Sequence, residues 1–401
     1  MASASPSLSA RFTTQILPVA LSDIDFPSDA DSPNIPKASV TFTNLCKAAD
    51  MIRNHVAPVA FPTETVYGLG ASALSTTAVQ QIFAAKNRPS DNPLIVHISS
   101  VSQLRRVLHT EVPDIYRPLI QRFWPGPLTI ILPLPDAIRQ EDGTEAAVIS
   151  PACTPGQSTF GVRMPSHPVA RSLIAITDTP IAAPSANASS RPSPTTAQHV
   201  YDDMSGRIPI ILDGGACNVG LESTVVDGTV SPPAILRPGG VSLEEIRKYG
   251  GPLWKDVMTG KSEAGQDEKV RTPGMKYKHY SPKAKVVVFL GHGDGRVGEV
   301  AKYIRDLEGD LKIGVLSSRL FKFDSWDEDV KKKIYIVKEL GKSGAEISRN
   351  LFAHLRDLDE AGVDLIIAEG VSEEDEGAAI MNRLRKAATE ILDSHRHIMK
   401  N

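Results

Sequence analysis

Cysteine is nearly absent, with three in 401 residues. Cys46, Cys153 and Cys217 are far apart, odd in number and without ligand spacing. That argues against a disulfide scaffold or a zinc site and fits a reducing compartment. No run approaches the roughly 18 consecutive apolar residues of a transmembrane helix, and no secretory hydrophobic segment is visible. A dominant charge is also missing. The net charge is −3, so bulk electrostatics do not mark a nucleic-acid binder. Several catalytic signatures are absent: Gly-x-x-x-x-Gly-Lys-Ser/Thr, Gly-x-Ser-x-Gly, His-Glu-x-x-His, and Gly-x-Gly-x-x-Gly after the first strand. No acidic pair has metal-ligand spacing.

What remains is an ordinary soluble composition, 41% hydrophobic and 23% charged, long enough for about two domains. Residues 1–36 are rich in Ser, Ala and Pro, which suits a disordered tail or a targeting segment. Only Arg11 precedes Lys37, although transit peptides are usually Arg-rich. Residues 37–250 form one dense block. It has helical spacing over Thr43–Asn54 and Ala78–Lys86, and strand-like runs at Val59–Phe61, Leu94–Ile98, Leu128–Leu132, Thr159–Arg163, Ile181–Ala183, Ile210–Asp213, Ser223–Asp227 and Ala234–Arg237. Short strands mixed with helices predict an α/β domain with a mixed sheet. Residues 251–284 look like a linker, yet they end in a segment carrying Tyr277, His279 and Tyr280, which is unusual for a spacer. In 285–401, strand-like Lys285–Leu290, Lys312–Ser317, Ile334–Val337 and Asp364–Ala368 alternate with helix-like Gly298–Leu307, Ala345–Glu360 and Gly377–Leu392. This rhythm predicts a small domain with a parallel sheet.

Six segments could carry chemistry. Pro62–Gly70 (PTETVYGLG) supplies hydroxyls and backbone amides in a loop after a strand; a turn with a capping Thr is the plainer reading. Lys86–Leu94 (KNRPSDNPL) places Lys86 and Arg88 two apart in a proline-stiffened loop, where they could converge on phosphate oxygens or merely face solvent. His97 follows in an apolar strand. Phe123–Thr129 reads as a rigid packing turn. Arg163 ends an apolar strand and needs an anionic partner, from the protein or from a ligand. Ala182–Ser193 (AAPSANASSRPS) has small residues that let a backbone approach a ligand, with Ser185, Asn187 and Ser193 as donors and acceptors. Gly220–Asp227 and Ile235–Gly240 bring Ser223, Thr224 and Arg237 to strand ends, where α/β sites gather. Cations, amides and hydroxyls without a conspicuous nucleophile suit a reaction run by positioning and charge neutralisation, as in nucleotidyl transfer.

Eight short stretches in order over about 180 residues carry a resemblance: PTETVYGLG at 62–70, Lys86-x-Arg88, PLIVH at 93–97, WPGPLT at 124–129, VRMP at 162–165, PSAN at 184–187, EST at 222–224 and LRPG at 236–239. Together they resemble the YrdC-type threonylcarbamoyl-adenylate synthases. The tail, introduced by His279–Pro282, resembles the extra domain of the long two-domain form. The resemblance implies a twisted sheet with a concave cationic cavity and a smaller Rossmann-like domain. It also implies a reaction in which L-threonine, bicarbonate and ATP give threonylcarbamoyl-AMP and pyrophosphate, with magnesium held mainly by the ATP phosphates. A separate transferase then passes the product to tRNA beside the anticodon.

Carried onto this sequence, the resemblance implies a tetrad of Lys86, Arg88, Ser185 and Asn187. It implies a threonine pocket of Thr65, His97, Arg163, Ala183 and Ser223. The implied nucleotide site comprises Arg88, Asn92, Thr159, Ser185, Ser193 and Arg237, with Tyr280 closing over the ATP. No metal ligands are expected among the protein's residues and no membrane partner. Direct binding of tRNA or double-stranded RNA stays open, as does a mitochondrial pool beside a cytoplasmic one. The other function the sequence allows is a non-catalytic double-stranded RNA-binding or ribosome-assembly factor.

Overall fold

The structure is a computed structural model that describes residues 12–27, 30–139, 145–260, 279–290, 295–393 and 396–400. Among the described residues up to 260 there are thirteen strands, the last inside the expected linker: β1 Gln15–Pro18, β2 Val59–Phe61, β3 Gly68–Ser72, β4 Val96–His97, β5 Leu128–Pro133, β6 Ile138–Arg139, β7 Glu145–Ala146, β8 Thr159–Arg163, β9 Ile181–Ala182, β10 Ile210–Asp213, β11 Thr224–Asp227, β12 Ala234–Arg237 and β13 Met258–Thr259. β6 and β7 form a separate hairpin, and the other eleven make one mixed sheet ordered β1-β10-β2-β3-β9-β4-β8-β5-β11-β12-β13. Seven helices accompany it: α1 Val40–Arg53, α2 Thr76–Lys86, α3 Val101–Leu108, α4 Arg117–Phe123, α5 Pro168–Thr177, α6 Ala197–Met204 and α7 Leu243–Tyr249. Hydroxyl caps start many of them. Ser39, Ser75, Ser100 and Thr196 accept backbone N–H bonds at the starts of α1, α2, α3 and α6, satisfying donors that a helix start leaves unpaired.

Five expected strands coincide with observed ones at both ends: β2, β8, β10, β12 and the tail's first strand. The expected tail 1–36 is corrected for the part that is described, because β1 pairs in parallel with β10 at the sheet edge. Three hydrogen bonds bind this segment to α1: Asn44 Nδ2 donates to Pro18 O at 2.8 Å, Lys47 Nζ to Gln15 Oε1 at 2.7 Å, and Ala20 N to Thr41 Oγ1 at 3.0 Å. The second half of PTETVYGLG is not loop but strand β3, antiparallel to both β2 and β9. Gly70 permits this, since a Cβ there would lie 2.5 Å from Ile181 and 2.6 Å from Phe61. Most of the expected linker, residues 261–278, lies outside the described residues.

The tail holds β14 Lys285–Leu290, β15 Ile313–Ser317, β16 Ile334–Glu339, β17 Leu365–Glu369, β18 Glu390–Asp393 and β19 Arg396–Lys400. Its helices are α8 Gly295–Asp306, α9 Glu328–Lys331, α10 Gly344–Glu360 and α11 Gly377–Ala387. The sheet order is β16-β15-β17-β14-β18-β19, parallel throughout except for β18 with β19. Alternation along the strands separates two cores. Val286 and Val288 pack with α10 and α11, whereas Val287 and Phe289 pack with α8, Trp326 and Val330. The expected helix Gly377–Leu392 is too long. It stops at Ala387, because Thr389 bonds across to Val286 through both its N–H and its Oγ1 and starts β18 on the edge of β14.

The α10–α11 face is turned toward the first domain, and Val66, Leu221 and Tyr280 join its core. At Gly220, φ is +79°, and a Cβ would lie 2.4 Å from Arg349 Cα, so a side chain would wedge the two domains apart. Buried arginines cross the boundary. Arg356, fully buried on α10, donates to Pro192 O at 2.6 Å and pairs with Asp203 at 2.7 Å. Breaking a buried pair from one side leaves the partner charge without its counter-ion. Arg356→Ala is therefore expected to lower the unfolding free energy by about 3–5 kcal/mol, read by urea denaturation; a loss under about 1 kcal/mol, typical of a surface pair, would contradict this packing.

Candidate active site

Sheet register aligns the first group of side chains. Across neighbouring strands, His97 on β4 lies opposite Arg163 on β8, and Arg163 lies opposite Thr129 on β5. Opposed residues share a face, so these side chains form a row. Thr129 Oγ1 meets Ser223 Oγ at 2.8 Å, which extends the row to the entry of β11. Arg163 is buried and held on three sides. Its Nη2 donates to Glu64 Oε1 at 2.6 Å, its Nη1 to Thr65 Oγ1 at 3.0 Å and its Nε to Gly126 O at 3.1 Å. The open question of its counter-ion is thus answered within the protein, by Glu64. Two of its five N–H groups have no partner among the described residues.

The second group gathers at the end of α2. Asn87 caps that helix in the left-handed conformation, at φ +51°, and turns the chain toward Arg88. The Lys86 ammonium is buried and donates to the carbonyls of Ser185 and Asn187, with Asn187 Oδ1 a further 3.4 Å contact. Burial, and then the nearby Arg88, push its pKa well down. Ser185 Oγ donates to Asn187 Oδ1 at 2.5 Å. The Asn187 amide spans the next turn, donating to Ala188 O at 2.8 Å and Arg191 O at 2.9 Å. Arg88 Nη2 donates to Pro93 O at 3.2 Å, on the loop that also carries Asn92.

Both groups line one cavity of about 400 Å³. Its wall brings together Thr65, Lys86, Arg88, Asn92, His97, Arg163, Ala183, Ser185, Asn187, Ser223, Arg237 and Tyr280. Two expected residues stand apart. Ser193 is one step behind the wall, with its Oγ donating to Glu222 Oε1 at 2.6 Å. Thr159 is at the far end of β8, paired with Pro133, four residues from Arg163 or about 13 Å along a strand.

Five cations, Lys86, Arg88, Arg163, Arg191 and Arg237, line the cavity against the carboxylate of Glu222. Burial, reinforced by Arg163, lowers the His97 pKa to about 3, so its ring is neutral at ordinary pH. Burial also brings Arg237 down to about 10 and raises the Tyr280 phenol to about 12, helped by Glu222. Asn92 Oδ1, His97 Nδ1 and His279 Nε2 are buried with no partner among the described residues, and buried polar atoms generally have one. A cavity of this size and makeup suits a small polar ligand.

Sequence reasoning missed Glu64, Glu222, Arg191, His279 and Arg383. The two glutamates sit inside quoted motifs, where a carboxylate among strand-end hydroxyls signals a need for counter-charge. Arg383 had a different signal: it shares the apolar stripe of α11 with Ile380, Leu384 and Ala387, at helical spacing.

Comparison with known proteins gives the same two-part layout. A family model for Sua5, YciO and YrdC proteins, described as "Telomere recombination", matches residues 53–239, and one for the C-terminal domain of threonylcarbamoyl-AMP synthase matches 241–389. A threonylcarbamoyl-AMP synthase of Schizosaccharomyces pombe is 49% identical over 94% of this chain and 95% of its own length. The chain belongs to the two-domain threonylcarbamoyl-AMP synthase family. Another member, from Bacillus subtilis, is 43% identical over 86% of this chain and 92% of its own. Among solved structures, Pyrococcus abyssi Sua5 complexed with L-threonine superposes with a TM-score of 0.80 at 42% identity, covering 95% of this chain and all of that one. Among the described residues no helix is long and apolar enough to cross a membrane.

Glu222 gives this wall a pH signature. Burial opposes its charge, but Arg383, Arg237 and Ser193 outweigh burial and hold its pKa below the ordinary 4.5. Near that pH the unfolded chain takes up the proton first, so the contribution is complete above about 4.5 and fades as the pH falls further. Urea unfolding of wild type and Glu222→Gln from pH 6 to 3 is expected to show a stability gap that closes below 4.5; a gap independent of pH would contradict the ion pair.

Proposed function

We propose that this chain makes threonylcarbamoyl-AMP from L-threonine, bicarbonate and ATP, releasing pyrophosphate. The observation that supports the reading is that Arg163 lines the same cavity as Lys86, Arg88 and Arg237, in a chain that belongs to this family. Arg163, braced by Glu64, offers its two remaining N–H groups to the threonine carboxylate. Thr65 and Ser223 add hydroxyls, and Ala183 leaves room for the side chain. The neutral imidazole of His97 adds no second positive charge beside Arg163. Lys86, Arg88 and Arg237 meet the triphosphate, with Ser185, Asn187 and Asn92 fixing it, Ser193 steadying the wall from behind and Tyr280 closing over it. Thr159 does not line the cavity and is given no part here.

The reaction follows from that placement. The neutral threonine amine adds to the carbon of carbon dioxide, losing a proton, or to that of bicarbonate, losing water, and either route leaves the carbamate. A carbamate oxygen then attacks the α-phosphorus, and the bond to pyrophosphate breaks. Charge builds on the phosphate oxygens as that bond lengthens, which is where fixed cations lower the barrier. Holding the reactants side by side supplies the rest. Magnesium, if protein-held, would need acidic ligands. Glu222 is committed to Ser193 and Arg383, and among the described residues no cluster of His, Cys, Asp or Glu could hold an ion. The site does not fit a protein-held ion, and magnesium belongs with the ATP phosphates. The product is an activated acyl-adenylate, which calls for a downstream transferase acting on tRNA. The alternative of a double-stranded RNA-binding factor suits a cavity of about 400 Å³ poorly.

Threonine-dependent release of pyrophosphate from ATP with bicarbonate present tests the reading, and its absence from the purified chain would overturn it. The carboxylate site has a sharper check. Truncating Arg163 alone would strand Glu64, so the variant to use is Arg163→Met with Glu64→Gln. Losing charge-assisted bonds of about 1.5–3 kcal/mol should raise the KM for threonine about 10- to 150-fold and leave that for ATP nearly unchanged. Equal rises for both substrates would contradict the assignment.

A further inference from the structure

Arg383 belongs to the tail domain, yet its charge acts in the wall of the first domain's cavity. It is fully buried. Its Nε donates to Glu222 Oε2 at 3.0 Å and its Nη1 to Pro238 O at 2.6 Å, the residue next to Arg237. Glu222 Oε1 is occupied by Ser193 Oγ, so both carboxylate oxygens are committed, one of them to a residue 161 positions away. The guanidinium also lies 5.7 Å from the Tyr280 ring, which stacks 5.0 Å from Phe352 of α10. Arg237 of the first domain also lowers the Glu222 pKa through its charge and donates through Nε and Nη2 to Ser223. The hydrogen-bonded ion pair on Glu222, at 3.0 Å, is made by Arg383 of the tail.

A carboxylate in the wall of a cavity that is to accept a polyphosphate is a liability, because like charges repel strongly where water is scarce. We propose that Arg383 is a positioning residue that cancels the charge of Glu222, so that a nucleoside triphosphate can settle against Arg237, Lys86 and Arg88. The tail domain thus completes the electrostatics of the first domain's site without touching the substrate. The inference rests on the proposed function for the identity of the ligand but not on turnover.

Calorimetric titration with a nonhydrolysable ATP analogue, and separately with L-threonine, tests it without catalysis. Arg383→Ala should weaken the analogue about tenfold or more and threonine far less. Arg383→Lys should keep most of the affinity. Adding Glu222→Gln to Arg383→Ala should restore most of it, because the stranded charge is then gone. A merely structural role, through the Pro238 contact, predicts no such rescue. Failure of the double variant to recover, or equal losses for both ligands, would overturn the proposal. Should Arg383→Ala not fold, Glu222→Gln alone decides: excess positive charge predicts tighter analogue binding, and unchanged or weaker binding overturns the inference. A wild-type chain that takes up no analogue overturns both this and the nucleotide site, whereas one that binds it but releases no pyrophosphate leaves this inference standing and sinks the catalytic reading.

Discussion

The Lys86 ammonium is withdrawn from water and must find its hydrogen bonds inside the protein. It finds them on the carbonyls of Ser185 and Asn187, and much of the cavity follows from that. The bond draws the 183–193 loop onto the end of α2, so residues about one hundred positions apart share a wall. With its carbonyls fixed, Asn187 can use its amide to span Ala188 and Arg191. Arg191 in turn pairs with Asp203, and Asp203 also accepts from the Ala188 N–H and from Arg356. One buried cation thus sets a loop, and the loop sets the next ion pair.

The two domains divide the work along this chain of contacts. The first supplies the surface that faces a ligand: a row of His97, Arg163 and Thr129 fixed by strand register, beside the Lys86–Arg88 turn. The tail supplies rigidity and counter-charge from behind. α10 reaches Asp203 and the Pro192 carbonyl through Arg356, and α11 reaches Glu222 and the Pro238 carbonyl through Arg383. Buried arginines of this kind add little net stability over apolar packing, but they fix geometry and penalise its loss. That suits a domain packed behind another domain's cavity.

Much of this was legible in the sequence, and the exceptions have physical causes. Strands with continuous apolar runs, such as Ile210–Asp213 and Lys285–Leu290, announced themselves because burial on both faces leaves no other reading. Of the residues that line the cavity, Lys86, Arg88, Ser185, Asn187 and Arg237 stand out in the sequence as a stiffened basic loop, a small-residue turn and a strand end, whereas Thr65, Asn92, His97 and Ala183 enter only through the resemblance. Gly68–Gly70 reads as the end of the Pro62–Gly70 loop because its glycines suppress the strand signal, while close packing against Phe61 and Ile181 is what requires Gly70. The end of α11 was misplaced because Ala388 and Thr389 do not interrupt a helical pattern; only the edge of β14, a tertiary partner, ends it. Thr159 enters through the resemblance and does not line the cavity; it lies at the far end of β8 from Arg163. The cross-domain arginines were missed because a charge on an apolar stripe points to a partner only once that partner is in view.

A crystal structure of the chain with both L-threonine and a nonhydrolysable ATP analogue bound tests the central claim most directly. The account predicts the threonine carboxylate on Arg163, the phosphates on Lys86, Arg88 and Arg237, and the threonine nitrogen and α-phosphorus close enough for one carbamate carbon and oxygen to bridge them. Ligands found in separate cavities, or phosphates bound away from Lys86 and Arg88, would contradict it.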